Sequence, residues 1–331
     1  MAGGDVEPVG WDELRLCDRP DGELAMNAYL DMPEPVPTGI DKLDQLLGGG
    51  MTRGVTVVGG ASSAGKTVLA CMASAMMCAR GQRVIYASYE TAWEVVQLRC
   101  ASAWSCTKEA AEAGAEYFQW SDVVNGTYRA ARSQYRGLTR QELSRYTVGS
   151  AMDPITRTLT LWDEGPGRNL AVLTSGYDVH ELCEAAQSVG GQRPVLVVDY
   201  IQIVPTGARG RQDDNERVTE VMGALREHSY SPMGGNVLAL SSLRKLTQAD
   251  RKDSPTMDWF RGSNHVGYDA EQAVILTLDY EDVTENGVKV HRRATADNGA
   301  YEGRMTIVKN RTGATGTSIA TLLYGWCSVI A

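Results

Sequence analysis

Short runs of consecutive hydrophobic residues alternate along the chain with segments whose apolar positions recur every three or four residues. Continuous runs are typical of strands covered on both faces in a parallel sheet. The three-to-four periodicity is typical of helices that pack one face against such a sheet. The pattern therefore predicts an α/β fold with a mostly parallel central sheet flanked by helices. The predicted strands occupy residues 55–58, 83–88, 195–198, 237–240 and 273–276.

Turn and capping residues predict where several elements begin and end. Thr38 and Asp41 resemble an N-cap pair, and the helix that follows ends at the glycines of residues 48–50. A second helix is expected over residues 66–80, closed by Gly81. Residues 91–150 are predicted to be mostly helical. Two further strands, 304–309 and 317–324, are expected to form a hairpin around Gly313 and Gly316.

Charge is unevenly distributed along the chain. Residues 1–37 contain nine acidic and two basic residues, a net charge of −7, which leaves −2 of the total −9 for the rest. This segment ends in three closely spaced prolines, which favour a stiff linker. We therefore predict an acidic N-terminal extension and linker over residues 1–37 and one domain over residues 38–331. A nearly neutral body can still present a locally basic channel.

Several classes of protein are disfavoured by the composition. No uncharged apolar run approaches the roughly 18 residues that a membrane helix requires. The N-terminus resembles no secretory signal, and the seven cysteines form no C-x-x-C pair. We therefore expect a cytoplasmic protein with no membrane partner and no structural zinc site.

Residues 60–67 match the phosphate-loop pattern G-x-x-x-x-G-K-[ST] in full, between a predicted buried strand and an apolar helix. Glycines let successive backbone N–H groups turn toward phosphate oxygens, and the helix adds its positive end. Lys66 is expected to reach the β- and γ-phosphates, and the Thr67 hydroxyl to ligate Mg²⁺. The pattern thus predicts ATP and Mg²⁺ as cofactors. The expected nucleotide contacts are Gly60, Ala61, Ser62, Ser63, Ala64, Gly65, Lys66, Thr67 and Val68.

Two carboxylates are candidates to complete this site. Asp199 ends the run 195–198, and we expect it at the tip of a strand neighbouring the phosphate loop, where it would hold Mg²⁺. Glu90 follows the run 83–88, which we expect beside the phosphate-loop strand, and would orient the attacking water as a base. Glu94, one helical turn later, is the nearest alternative to Glu90.

Five further segments, in this order along the chain, resemble the ATPase domain of DnaB-type replicative helicases within the RecA-like superfamily. The resemblance spans residues 37–325 and implies a RecA-like P-loop NTPase core with a C-terminal β-hairpin. The opening segment is also shared with RadA- and KaiC-type ATPases. The segments are PTGIDKLD at 37–44, VVDYIQI at 197–203 (similar to IDYLQL), ALSSL at 239–243 (ALSQL), FRGS and DAE at 260–263 and 269–271 (LRGSG…DAD), and KNRTG with TG at 309–316 (KQRNGPTG).

The resemblance implies that Lys309 and Arg311 form a finger pair, which reaches the γ-phosphate of ATP bound to a neighbouring subunit. A cation supplied across an interface stabilises the charge of the transferring phosphoryl group, so hydrolysis would depend on a ring, usually a hexamer. Two solvated charges on a hairpin are the alternative. One departure stands out, because the family's phosphate-sensing glutamine falls on Ser242, whose side chain is too short for that contact. Arg244 or another residue would then take its place.

Two basic segments match, by position, the loops that hold DNA in this family. Lys and Arg side chains there would neutralise phosphates without reading bases, and a solvated loop is the alternative for each segment. The candidate DNA contacts are Arg209, Arg211 and Arg217 in residues 207–217, and Arg244, Lys245, Arg251 and Lys252 in residues 244–252.

The resemblance implies an ATP-dependent helicase motor that translocates 5′ to 3′ on single-stranded DNA as a ring, in the replication of a mobile element, phage or chromosome. A primase or loader protein is a possible partner, although no segment corresponds to the family's N-terminal collar domain. Two alternatives remain. One is a RadA- or KaiC-like ATPase, against which stand the lack of an N-terminal zinc knuckle and of a second phosphate loop. The other is a DNA-binding regulator or loader that uses ATP without unwinding.

Overall fold

The computed structural model describes residues 33–124, 154–174, 176–207, 213–247, 253–285, 288–295, 301–324 and 328–330. The chain divides into two units, of which Pro35–Ala331 holds every element described below. The other unit, Met1–Glu34, lies almost wholly outside the described residues. The domain boundary expected after residue 37 stays a prediction. No helix within the described ranges is long and apolar enough to cross a membrane.

Helices and strands alternate through most of the first two thirds of the described chain, apart from the consecutive helices α3 to α6, and strands dominate its end. The α-helices are α1 (Asp41–Leu46), α2 (Lys66–Ala79), α3 (Trp93–Ser105), α4 (Lys108–Glu112), α5 (Trp120–Val124), α6 (Pro154–Glu164), α7 (Val179–Gln187), α8 (Asp214–Tyr230) and α9 (Ser263–Asp269). The strands are β1 (Val55–Gly60), β2 (Val84–Ser88), β3 (Leu170–Thr174), β4 (Val195–Asp199), β5 (Val237–Ser242), β6 (Ala270–Leu278), β7 (Tyr280–Glu285), β8 (Val288–Arg293), β9 (Tyr301–Asn310), β10 (Ser318–Tyr324) and β11 (Ser328–Ile330).

The central sheet has the strand order β11-β10-β9-β6-β1-β5-β4-β2-β3. Neighbours from β6 to β3 pair in parallel, whereas β9, β10 and β11 are added antiparallel beyond β6. This arrangement confirms the predicted α/β class and the C-terminal hairpin of β9 and β10. The hairpin closes where the Gly316 N–H donates to the Ile307 carbonyl at 2.7 Å, and Gly316 adopts φ +79°. Glycine favours this left-handed conformation because it has no Cβ.

All five strands expected from continuous apolar runs are present. Every residue of β1, β2 and β4 is buried, which is why these strands lack polar alternation. Apolar clusters cover both faces of the sheet, with α2 and α3 in one cluster and α7 and α8 in the other. The sheet is therefore a central layer, and its strand ends form an edge on which a site can be built.

Two strand pairings differ from the expectation. Strand β2 does not lie beside β1, because β5 and β4 intervene, and β4 is likewise separated from β1 by β5. Strand β3 was not predicted. It lies at the end of the sheet and buries only Leu170 fully, so its residues carry no clear apolar run. The separate hairpin of β7 and β8 was also not predicted.

The predicted helix starts and ends hold, except at Thr38. Helix α1 begins after Ile40, and no side chain caps it. The Thr38 hydroxyl and N–H instead both donate to Asp44 Oδ1 at 2.7 Å. The expected pairing of Thr38 with Asp41 is therefore wrong, because a buried carboxylate one turn further on takes both donors. Of residues 91–150, those up to 124 contain α3, α4 and α5, and residues 125–150 lie outside the described part.

Candidate nucleotide-binding site

The loop between β1 and α2 contains residues in the left-handed backbone conformation, as expected for a phosphate loop. Ser63 has φ 58° and Gly65 has φ 96°, the latter as the residue that precedes α2. Alternation of right- and left-handed residues turns successive N–H groups to one side of the backbone and forms a concave anion site. The N-terminus of the 14-residue helix α2 opens directly onto it.

The Lys66 side chain folds back over the loop. Its Nζ donates to the Gly60 carbonyl at 2.8 Å and to the Ala61 carbonyl at 2.9 Å. Burial lowers the pKa of Lys66, and the nearby carboxylates of Asp199 and Glu90 partly oppose that shift. The ammonium is thus held at the loop by backbone oxygens and by the charge of two acids.

Asp199 lies at the end of β4, only 2% exposed, and meets the first turn of α2. Its Oδ2 accepts from the Thr67 hydroxyl at 3.0 Å and from the Tyr86 hydroxyl at 2.9 Å. Burial raises the pKa of Asp199, while both hydrogen bonds lower it. The two residues proposed to hold a metal are therefore in direct contact, although β4 is not the neighbour of β1.

Glu90 reaches the same place from β2. Ser88 pairs in register with Asp199, and the Tyr89 N–H donates to the Asp199 carbonyl at 3.0 Å. Glu90 follows, is exposed, and lines the same cavity as the loop. The expected position of Glu90 is therefore reached through β4 and not through β1. Glu94 is exposed in the first turn of α3 and does not line the cavity described next.

A cavity of about 560 Å³ brings the loop and both acids together. Seven of the nine predicted nucleotide contacts line it, and the other two, Gly60 and Ala61, face Lys66 through their carbonyls. The lining residues are Ser62, Ser63, Ala64, Gly65, Lys66, Thr67, Val68, Glu90, Thr91, Arg99, Asp199, Tyr200 and Ser242.

Arg99 is a lining residue that the motif search did not find. Its Nε is buried without a hydrogen-bond partner among the described residues, and its guanidinium carbon lies 4.5 Å from the ring centroid of Trp120. A signal was present, since Arg99 is the one charge within the otherwise uncharged segment 95–104. A half-buried cation with an unsatisfied Nε beside a phosphate loop suits an anionic ligand.

Ser242 lies at the end of β5, also on the cavity wall. Its hydroxyl is buried and has no hydrogen-bond partner within the described ranges. Arg244, suggested as a substitute for the glutamine expected here, does not line the cavity. Its Nε donates to the Asp258 carbonyl at 3.0 Å, and its Nη2 lies 3.3 Å from Asp258 Oδ2.

The finger pair, Lys309 and Arg311, lies at the end of β9 and does not line the cavity of its own chain. The Lys309 Nζ donates to the Gly267 carbonyl at 2.6 Å, and the Arg311 Nη2 donates to the Tyr268 carbonyl at 2.9 Å. Burial and the neighbouring Arg311 lower the pKa of Lys309. Both cations therefore rest on the last turn of α9, where helix carbonyls favour positive charge.

The candidate DNA contacts are only partly within the described chain. Lys245 is exposed just after β5, next to Arg244. Strands β4 and β5 are parallel neighbours, so both basic segments leave the same edge of the sheet. Arg209, Arg211, Arg251 and Lys252 lie outside the described residues.

Comparisons with known proteins agree with this architecture. The model of the family described as DnaB-like helicase C terminal domain matches residues 167–324. The solved structure of another protein's ATPase domain superimposes with a TM-score of 0.64 at 16% identity, covering 94% of this chain and 99% of that one. A DnaB-like replicative helicase, solved in a study of its interactions with primase, gives a TM-score of 0.62 at 15% identity, covering 94% of this chain and 67% of that one.

A shorter sequence match points to a second, related group. Over 70 residues the chain is 40% identical to the DNA repair protein RadA of Brucella abortus (strain 2308). The matched part is 21% of this chain and 15% of that relative. The family match over residues 167–324 and the fold that covers nearly the whole chain agree: over that range the chain is similar to the C-terminal domain of DnaB-like helicases, and it has a RecA-like ATPase fold.

Proposed function

We propose that the chain hydrolyses ATP and uses the energy to move along single-stranded DNA. One observation carries the proposal: Lys66, Thr67, Glu90 and Asp199 meet in a single cavity at the ends of β1, β2 and β4. A phosphate-loop lysine, a metal-holding pair and a carboxylate base are the parts that phosphoryl transfer to water needs.

The residues present fit a nucleotide triphosphate with Mg²⁺. Hard divalent cations prefer oxygen ligands, and the Thr67 hydroxyl and Asp199 carboxylate provide two oxygens 3.0 Å apart. The N–H groups of the loop would hold the phosphates, together with Lys66. Bound Mg²⁺ would supply charge neutralisation at the phosphates.

Hydrolysis of ATP in this site would depend on the Glu90 carboxylate and on several Arg and Lys side chains. Glu90 is exposed to the cavity and would accept a proton from the attacking water while orienting it. Arg99 adds a positive group to the lining from α3. Lys309 and Arg311 do not line their own chain's cavity, so they would act in the cavity of a second copy.

We expect assembly into a ring, with a hexamer as the expected size, and the position of the two cations supports it. Each chain would present its finger pair to the pocket of the next, and the basic segments after β4 and β5 would hold DNA at the centre. We expect movement from 5′ to 3′ and a role in the replication of a mobile element, phage or chromosome. A primase or loader is the expected protein partner.

An unwinding assay tests the proposal. The protein is incubated with ATP, Mg²⁺ and a forked DNA duplex, and strand separation is measured beside ATP hydrolysis. We expect both activities, and Lys66→Ala as the inactive control. Hydrolysis without strand separation would favour a regulator or loader that uses ATP without unwinding.

The match to a DNA repair protein named RadA supports a second candidate, a RadA-like ATPase. Such a protein would also bind DNA and hydrolyse ATP. Strand exchange between homologous duplexes, with no separation of a fork, would support this candidate over the helicase. The longer match over residues 167–324 favours the helicase.

A further inference from the structure

Gln202 joins three parts of the chain directly behind the candidate pocket. It lies three residues after Asp199 and is 4% exposed. Its Nε2 donates to the Ser241 hydroxyl at 2.9 Å, and its Oε1 accepts from the Ser242 N–H at 3.1 Å. The end of β4 is thereby joined to the end of β5 at Ser242, a residue that lines the cavity.

The same amide reaches the segment that returns after β5. The Gln202 Nε2 lies 3.4 Å from the Arg261 carbonyl, and the Arg261 N–H donates to the Ser242 carbonyl at 3.2 Å. A bridge between Leu243 and Phe260 continues this pairing. The two ends of the segment that contains the second candidate DNA loop are therefore fastened next to Gln202.

The backbone of Gln202 reaches the first candidate DNA segment as well. The Arg217 Nη1 donates to the Gln202 carbonyl at 3.1 Å from the first turns of α8. Arg261 is also ion-paired with Asp214, the first residue of α8. Gln202 thus contacts the pocket strand, the start of α8 and the return segment at once.

We infer that Gln202 is a positioning residue that couples the state of the nucleotide pocket to the two segments proposed to hold DNA. The inference rests on the proposed function. A contact at Ser242 can change the hydrogen bonds of the Gln202 side chain. These bonds hold the return segment directly, and they reach α8 through the ion pair of Arg261 with Asp214. A buried amide suits this role because its donor and acceptor groups are satisfied in one arrangement and costly to leave unpaired. Coupling is a free energy between two sites, so it is measurable separately from either binding event.

The test compares Gln202→Met with the unaltered protein. Methionine keeps the length of the side chain and removes the three hydrogen bonds of the amide. ATP hydrolysis is measured with and without a thymidine homopolymer, under saturating ATP. We expect the rate without DNA and the KM for ATP to stay close to the original values. Stimulation by DNA should fall by about tenfold or more, within the range typical of allosteric coupling.

A second variant and a control keep the test decisive. Gln202→Glu keeps an acceptor for the Ser242 N–H but cannot donate to the Arg261 carbonyl, and it should also lose stimulation. Gln187→Met changes a half-buried glutamine on α7, whose Nε2 lies 3.2 Å from His228 Nδ1, and should behave as the original protein. If Gln202→Met fails to fold, as judged by its unfolding curve, Gln202→Glu decides.

Arg261→Met provides an independent check, because it removes the ion pair with Asp214 that joins the return segment to α8. If both residues act in one path, the double variant should lose no more stimulation than the stronger single variant. Full stimulation in folded Gln202→Met and Gln202→Glu would overturn the inference, as would loss of the rate without DNA. Absence of stimulation in the unaltered protein would instead overturn the proposed function.

Discussion

Asp199 and Arg311 carry opposite charges in opposite surroundings. Asp199 is 2% exposed and receives two side-chain hydroxyls, from Thr67 and Tyr86, within 3.0 Å. Arg311 has half of its side chain exposed, donates to a backbone carbonyl and lies 3.5 Å from Glu271. The acid is fixed by side chains of neighbouring elements, whereas the cation rests at the surface.

The difference distinguishes a residue that is held in place within its own chain, Asp199, from a residue proposed to act in a second chain, Arg311. Buried polar groups need full hydrogen bonding, so the pocket acid Asp199 is oriented before any ligand arrives. A surface cation held by a carbonyl and one carboxylate loses little stability when it moves, because exposed ion pairs contribute little. The pocket acid is therefore oriented within the chain, whereas Arg311 can move, as its proposed role in a second chain requires.

The largest effect is expected when the lysine of the pocket, Lys66, is replaced. Lys66→Ala should abolish ATP hydrolysis, by about 10³-fold or more, because no other lysine lines the described cavity to stabilise the phosphates. Phosphate release under saturating ATP measures the loss. Lys42→Ala, at an exposed position of α1, is the matched control and should turn over normally. Normal hydrolysis by Lys66→Ala would show that ATP is not hydrolysed in this pocket.

Arg311→Ala should reduce turnover by about 10³-fold while ATP binding stays largely intact, because the missing cation acts on charge that develops during transfer. Arg304→Ala, exposed on the same strand, is the control. Mixing Arg311→Ala with Lys66→Ala sharpens the comparison, since intact pockets would then meet intact fingers from the other chain. Recovery of activity on mixing is expected. No recovery, or normal turnover by Arg311→Ala alone, contradicts a finger supplied between chains.

A smaller effect is expected beneath the phosphate loop, at Gly59. A Cβ there would lie 2.5 Å from Phe260 and 3.0 Å from Leu243, so Gly59→Ala must displace the bridge between these residues. We expect the free energy of unfolding to fall by about 1–3 kcal/mol, as measured in urea without nucleotide. Gly223→Ala, where α8 has open space, should be neutral or stabilising. Equal stability of both variants would show that Leu243 and Phe260 do not pack on β1.

The smallest expected effect is a change in pH dependence. The Tyr86 hydroxyl lowers the pKa of Asp199 by donating to its ionised form, so Tyr86→Phe should raise that pKa further above the ordinary value. Metal binding requires the ionised form, and the acidic limb of kcat/KM should therefore move to higher pH. Tyr230→Phe removes a hydroxyl bonded to Glu271 instead and should leave the limb in place. A limb that stays fixed or moves to lower pH in Tyr86→Phe contradicts the role of Asp199.

Much of the fold and of the pocket could be predicted from residue patterns. The position of the phosphate loop could be predicted because the apolar residues on either side of it indicate a buried strand and a helix. The structure has these elements as β1 and α2. The order of strands could not be predicted, since nothing in an apolar run specifies its neighbour in a parallel sheet. Glu90 and Asp199 were therefore expected on strands beside β1, although they approach it across β5.

Residues without a motif were harder to find. Arg99 follows from no spacing rule, and its position depends on how α3 packs over the loop. Thr38 shows the same limit at short range, because its bond to Asp44 depends on the path of residues 38–44. Local propensity places elements, whereas contacts between distant elements depend on packing that a single sequence does not display.

Helix α9 spans seven residues, about 10 Å along its axis. It begins after Gly262, beside the Arg261 backbone that is bonded to Ser242, and its last carbonyls hold Lys309 and Arg311. A displacement of the Arg261 backbone would therefore begin only one short helix away from the carbonyls that hold the two cations. In the proposed ring, the nucleotide state of one subunit could then influence hydrolysis in the next subunit through protein contacts alone. Subunits of a ring without DNA would in that case already hydrolyse ATP one after another.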